Sequence, residues 1–222
     1  MKGDSVKQDI LDTARILFYE KGYTNTFLDS IAENCGITKP LILYYFTSKA
    51  ALARAVKDVY IAEIKNVVSF KVYRYYFNMQ SYDLQVSTAV EIRISNMLAI
   101  LDENVSRFEL ERADDKFAEI TSREKGDFYY EIHDRHYRLD IDRNADEIAM
   151  ISTVASIGGF ALARAYKQGH FNCTSEQILD YIVSLNFKLM HVPEERINEI
   201  LAESKKIVDT VSFEIQPYFR VV

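Results

Sequence analysis

The chain has 222 residues, enough to bury a core of one or two domains. Hydrophobic residues make up 48% and charged residues 27%, a soluble globular composition that excludes a disordered or membrane class. A net charge of −6 argues against a wholly basic nucleic-acid binder, yet residues 1–50 balance Lys2, Lys7, Arg15, Lys21, Lys39 and Lys49 against an equal number of acids. Seven Gly and three Pro are too few for many short strands and tight turns, so an all-α fold is expected. Cys35 and Cys173 stand far apart and fit a reducing cytoplasm with neither disulfide nor zinc site.

The polar start, Met1 to Ser5, runs into a helical pattern and predicts no signal peptide. Ser5 with Gln8 reads as a capping box, and Ile10, Leu11, Ala14, Leu17 and Phe18 form an apolar stripe closed by Gly22. Thr26 is expected to cap a second helix carrying Leu28, Ile31 and Ala32. Cys35-Gly36-Ile37 then makes a three-residue turn, and Thr38 caps a third helix with Pro40 in its first turn. Two short helices joined this way have helix-turn-helix spacing, with Ile31, Ile37 and Ile42 filling the wedge between them. On spacing alone, a helical hairpin with no DNA role stays open.

Ile10-Leu-Asp-Thr-Ala-Arg-Ile-Leu-Phe18, Glu20-Lys-Gly-Tyr23, Ser30-Ile-Ala-Glu33, Gly36-Ile-Thr-Lys39 and Tyr44-Tyr-Phe-Thr-Ser-Lys49 resemble the TetR (tetracycline-repressor-like) family over about residues 7–56. The resemblance implies an N-terminal DNA-binding domain (residues 1–50), a homodimer, and a helical effector-binding and dimerisation domain (residues 51–222). The family usually reads Gly-Thr-Leu-Tyr-Tyr-His-Phe where this chain has Pro40-Leu41-Ile42-Leu43-Tyr44-Tyr45-Phe46. Leu41 and Leu43 replace hydroxyls that commonly bond phosphate, and Phe27 stands where Ser or Thr often does. Thr26, Phe27, Thr38, Lys39, Pro40, Leu41, Leu43, Tyr44, Tyr45 and Lys49 are the expected DNA-facing residues, with either leucine able to pack on a thymine methyl. Lys49, in the first turn of the next helix, is expected to meet phosphate rather than water.

Residues 48–70 read as a connecting helix, and Leu84 to Phe108 as a second long one. With 15 Tyr and 13 Phe in the chain, an aromatic-lined pocket for an apolar or aromatic effector is expected from Phe70, Tyr73, Phe77, Phe108, Phe128, Tyr129, His133 and Tyr137, against ordinary core filling as the alternative. His133 and His136 are three apart, but further metal ligands are lacking, so neither metal nor cofactor is expected. Ala155, Gly159 and Ala163 at four-residue steps, with Ile178, Ile182, Leu185 and Leu189 on a helix opened by the Thr174–Gln177 capping box, predict a four-helix dimer interface. Intrachain packing is the competing reading. Pro193 opens a last helix, and the apolar tail from Ile215 is expected to dock.

No Gly-rich phosphate loop, nucleophile elbow or His-Glu-x-x-His points to an enzyme. The expected function is a cytoplasmic, ligand-responsive regulator, by family habit a repressor, binding a near-palindromic double-stranded operator and no membrane. The alternative is an interaction or ligand-binding module that kept the head fold and lost specific DNA binding.

Overall fold

The computed structural model describes residues 2–77, 79, 81–121 and 145–222. Phe128, Tyr129, His133, His136 and Tyr137 lie outside the described residues. Within them the protein is all-α, with ten helices and one two-stranded hairpin.

Helix α1 spans Lys2–Lys21, and its stripe of Ile10, Leu11, Ala14, Leu17 and Phe18 is buried as its period requires. It begins upstream of Ser5, so the expected capping box does not form, and the Gln8 amide donates to Asp12 one turn on (3.0 Å). Gly22 ends the helix in the left-handed region at φ 80°, its N–H donating to the Phe18 carbonyl. Helices α2 (Leu28–Cys35) and α3 (Lys39–Tyr45) follow.

Helix α4 runs from Lys49 to Phe77, well past the expected end at residue 70. The Ser48 hydroxyl caps it by accepting the Ala51 N–H at 3.0 Å. Its buried residues include Leu52, Val56, Tyr60, Ile64, Val68, Val72 and Tyr76, one every four positions. A four-residue step overshoots one helical turn by roughly 40°. The buried line therefore winds round α4, which meets α1, the C-terminal hairpin, α5 and the last helix in contact with it.

The expected helix through Phe108 is broken into α5 (Leu84–Leu101) and α6 (Glu103–Glu111). Asp102 makes the break: its backbone is extended, and its carboxylate accepts the Asn104 and Val105 N–H groups. It also accepts the Tyr19 hydroxyl at 2.8 Å, which ties the break to α1. Then come α7 (Ala113–Thr121), α8 (Ala145–Lys167), α9 (Ser175–Leu189) and α10 (Glu194–Val211). Helix α5 is central to the body, packed by α4, α6, α8, α9 and α10. The Thr174–Gln177 capping box opens α9 as expected.

The tail docks as an antiparallel hairpin of β1 (Ile215–Gln216) and β2 (Arg220–Val221), with Ile215 opposite Val221 and Gln216 opposite Arg220. Phe219 is fully buried, its ring centroid 5.1 Å from Phe108 and 5.4 Å from Tyr19. Arg15 on α1 forks onto Glu63 of α4 (2.8 and 2.6 Å) and donates to the Tyr218 and Phe219 carbonyls.

The small-residue stripe of α8 is used inside the chain. Ala155, Gly159 and Ala163 are buried, as are Ile178 and Ile182 of α9, and a Cβ on Gly159 would lie 3.5 Å from the Ile182 side chain. These five residues therefore do not form a surface for another subunit, a correction to the expected interface. Close approach was the right inference from the spacing, but the helix approached is α9 of the same chain.

Candidate nucleic-acid interface and effector cavity

Backbone hydrogen bonds close the turn between α2 and α3, and the Cys35 thiol adds a contact to the Asp9 carbonyl at 3.7 Å. Gly36 adopts φ 64° with nothing within 4 Å of where its Cβ would lie, so conformation rather than space calls for glycine. Its N–H donates to Glu33 and that of Ile37 to Ala32. Ile31 and Ile42 are fully buried in the wedge and Ile37 packs against the same core. Ile42 is the buried residue of α3. Thr38, Lys39, Pro40, Leu43 and Tyr44 are exposed, Tyr44 at 80%, while Leu41 and Tyr45 are half-buried. Thr38 is the N-cap residue but its hydroxyl makes no cap bond. Lys39 pairs with Asp29 of α2 at 2.9 Å, an exposed contact that a phosphate can displace at little cost. Phe27, 60% exposed, precedes α2 as its N-cap residue.

Two expected DNA contacts are placed differently. Thr26 is 1% exposed, its hydroxyl within hydrogen-bond reach of the Leu17 (3.0 Å) and Gly22 (2.7 Å) carbonyls. It staples the α1–α2 loop and neither caps α2 nor reaches solvent. The Lys49 ammonium donates to the Tyr23 and Thr26 carbonyls at 2.9 and 3.1 Å and sits 4.3 Å from the Tyr23 ring centroid. Burial lowers its pKa despite the opposing fields of Glu111 and Asp115. Lys49 holds the loop instead of standing free to meet phosphate.

The body contains a partly open cavity of about 260 Å³ between α5, α6, α7, α8 and α9, lined on its polar side by Glu91, Ser106, Glu109, Lys116, Arg164 and Asn186. Glu109 is its most constrained group. One carboxylate oxygen accepts the Tyr60 hydroxyl of α4 at 2.5 Å; the other meets Lys116 of α7 at 2.6 Å and Lys57 of α4 at 3.6 Å. Burial alone would raise its pKa, but the two ammonium groups and the hydrogen bonds from Lys116 and Tyr60 outweigh it and hold the carboxyl well below the usual range. Burial brings Lys57 down to about 8, against the pull of Glu109. The Tyr60 hydroxyl is raised by burial and by the same carboxylate.

Helix α6 has two working faces. Ser106, Glu109 and Leu110 line the cavity, while Arg107 and Glu111, one turn apart, grip the head. Arg107 donates to the Tyr19 and Glu20 carbonyls at 2.9 and 2.8 Å, satisfying the last turn of α1 with a cation where the dipole favours one. Glu111 accepts the Thr24 N–H at 2.7 Å, and Asp115 of α7 accepts the Tyr23 hydroxyl at 2.7 Å. A Cβ on Gly22 would lie 2.7 Å from Glu111, so glycine serves both the left-handed turn and this close approach. None of these groups stood out in the chain order. Glu109 and Arg112 do fall with Val105 and Phe108 on one apolar helix face, a signal that a helical wheel would have flagged.

The expected aromatic effector site is not assembled by the described residues. Phe108 is fully buried core filling against Phe18 (5.4 Å) and Phe219. Phe70, Tyr73 and Phe77 are exposed on α4; Tyr73 and Phe77 border a shallow apolar depression with Tyr76 and Tyr82, separate from the cavity. Among the described residues, no three His, Cys, Asp or Glu side chains are placed to hold a metal ion. Met150 (65% exposed), Val154 and Ala161 of α8 are exposed, as is Tyr181 of α9, with Leu185 and Leu189 half-buried. Ala149–Lys167 is, among the described residues, the one stretch apolar and long enough to cross a membrane by length and composition.

Residues 10–56 match the profile of "Bacterial regulatory proteins, tetR family". The HTH-type transcriptional regulator RutR of Escherichia coli (strain K12) is 40% identical over 63 residues, 27% of this chain and 30% of RutR. IcaR, the HTH-type negative transcriptional regulator of the biofilm operon icaADBC in Staphylococcus aureus (strain Newman), is 45% identical over 47 residues, 21% of this chain and 25% of IcaR. These alignments span less than a third of either relative. The crystal structure of RolR without ligand superposes with a TM-score of 0.60 over 88% of this chain and 96% of RolR at 13% identity, and RolR has also been crystallised with resorcinol. The helix-turn-helix head and the helical body share the fold of RolR, and within this chain the tetR-family match covers residues 10–56.

Proposed function

We propose that this protein is a DNA-binding transcriptional regulator, with no enzymatic role, that works in the cytoplasm as a homodimer and is switched by a small molecule. Residues 1–50 form its DNA-binding domain, and residues 51–222 its effector and dimerisation domain. The observation that carries the reading is the outward face of α3, where Thr38, Lys39, Pro40, Leu43 and Tyr44 are exposed on a helix-turn-helix scaffold whose wedge is buried. Phe27, Leu41 and Tyr45 complete the reading surface. The N-terminal end of such a helix meets base edges in the major groove.

The outer faces of α8 and α9, Met150, Val154, Tyr181 and the partly exposed Leu185 and Leu189, form the dimer contact in this reading. A two-fold dimer there would set the α3 helices about 34 Å apart, the repeat of successive major-groove faces. The cavity is the effector site. Because α6 lines it with one face and holds the α1–α2 loop with the other, an effector that shifts α6 repositions the head. It does so only by its differential affinity for the two arrangements.

The test is fluorescence anisotropy on DNA upstream of the protein's own gene, with salt stepped from 50 to 200 mM. An anisotropy rise that weakens steeply with salt is expected, and Lys39→Gln should reduce the logarithmic salt slope by about 1. Absence of binding at low salt to any near-palindrome in that DNA would overturn the reading. It would favour a head that recognises a protein instead, the reading to which Leu41, Leu43 and the inward Lys49 lend support.

A further inference from the structure

We propose that the cavity takes a small organic anion, a carboxylate bound between Lys116 and Arg164 with its carbon skeleton against Phe160. This rests on reading the cavity as the effector site and adds the ligand's chemical class. Three cations, Lys116, Arg164 and Lys167, line the space against two carboxylates, Glu91 and Glu109; Lys167 is held by Glu103 at 2.6 Å, which leaves Lys116 and Arg164 to meet a ligand. Both carboxylates are already engaged within the protein. Glu91 pairs with Lys65 at 3.3 Å, and each Glu109 oxygen has its own donor, Tyr60 on one and Lys116 on the other.

The donors are in surplus. Lys116 gives one N–H to Glu109 and has three to give, and its Nζ lies 4.1 Å from the Phe160 ring centroid. Among the described residues, no carboxylate is paired with Arg164, whose guanidinium suits two-point recognition of a carboxylate. A cationic ligand would meet these charges with the carboxylate acceptors occupied. A wholly apolar one would leave the remaining Lys116 N–H groups without an acceptor. Phe160, Ile92 and Leu110 supply an apolar wall, and 260 Å³ lies just below the usual range of about 300–1,000 Å³ for ligand sites, which favours a molecule of one ring or a short chain.

The probe is benzoate, with benzamide as its neutral counterpart of nearly equal shape, titrated calorimetrically into the full-length protein at pH 7 without DNA. Benzoate is expected to bind at least about tenfold more tightly than benzamide, the scale of one charge-assisted hydrogen bond. Lys116→Gln and Arg164→Gln should each weaken it by about tenfold, whereas Lys206→Gln, an exposed lysine of α10 outside the cavity, should not. Lys116 also neutralises Glu109, so its loss touches the fold as well; Arg164 is exposed, so its variant keeps the test decisive. Equal binding of the two probes, no binding of either, or benzoate binding indifferent to Arg164→Gln would overturn the proposal. DNA binding that survives such a result leaves the regulator standing and removes the anion alone.

Discussion

The Phe219 ring lies parallel to that of Tyr60, 11° between their planes and 5.0 Å between their centroids. The penultimate turn of the chain thus packs directly on α4, between the head and the Glu109 cluster. Phe219 adopts φ 61° and Tyr218 φ 63°, left-handed values that non-glycine residues keep only when surroundings hold them. Here Arg15 does so through both carbonyls.

Phe219→Ala should therefore cost about 3–5 kcal/mol, the range for emptying a buried aromatic site. Urea denaturation would measure it. A loss under about 1 kcal/mol would mean that the hairpin is peripheral to the core.

Glu109→Gln should destabilise the fold by about 3–5 kcal/mol, because it leaves two buried or half-buried ammonium groups without their shared partner. It should also flatten the acid limb of stability against pH. The folded carboxyl is held below its unfolded value, so its contribution is complete above the unfolded pKa and is lost as pH falls towards the folded one. Lys57 acts in the same sense at higher pH: lowered to about 8 in the fold, it costs stability below that value, and the cost is relieved as pH rises from there towards its unfolded value. Denaturation midpoints from pH 3 to 10 in both proteins would check the signs.

Thr26→Val should cost about 1–3 kcal/mol through its lost hydroxyl contacts, yet leave the salt slope of DNA binding unchanged. Lys39→Gln should do the reverse. Paired melting and anisotropy measurements separate a staple from a phosphate contact.

Arg107→Gln removes the guanidinium from the end of α1 and should speed amide exchange in residues 19–24 more than in α5. Uniform acceleration throughout the protein would deny the local grip.

Val154→Glu should shift the protein towards monomer in sedimentation velocity, by placing a charge at the centre of the exposed α8 face. An unchanged sedimentation coefficient would move the dimer contact elsewhere.

The head was readable from the chain because its determinants are local. A helical period of apolar residues, one glycine in the left-handed region and a proline in a first turn fix α1, α2 and α3 with little outside help. The body was less so. Spacing in Ala155, Gly159 and Ala163 announces close approach but carries no information on which helix approaches. Aromatic identity says as little about depth: Phe108 is fully buried and Phe77 is 69% exposed. The cavity depends on α5 to α9 converging, and its residues are scattered over a hundred positions of sequence.

The winding line of buried residues on α4 makes that helix a threaded rod. Turning it about its axis, without advancing it, would lift Val56 and Tyr76 from their seats in opposite senses. A one-residue insertion near its middle would swing the head through about 100°, whereas four residues would swing it only some 40° and lengthen the rod by about 6 Å. The pitch of this thread thus decides which lengths of connector would leave the two heads of the proposed dimer able to face the same duplex.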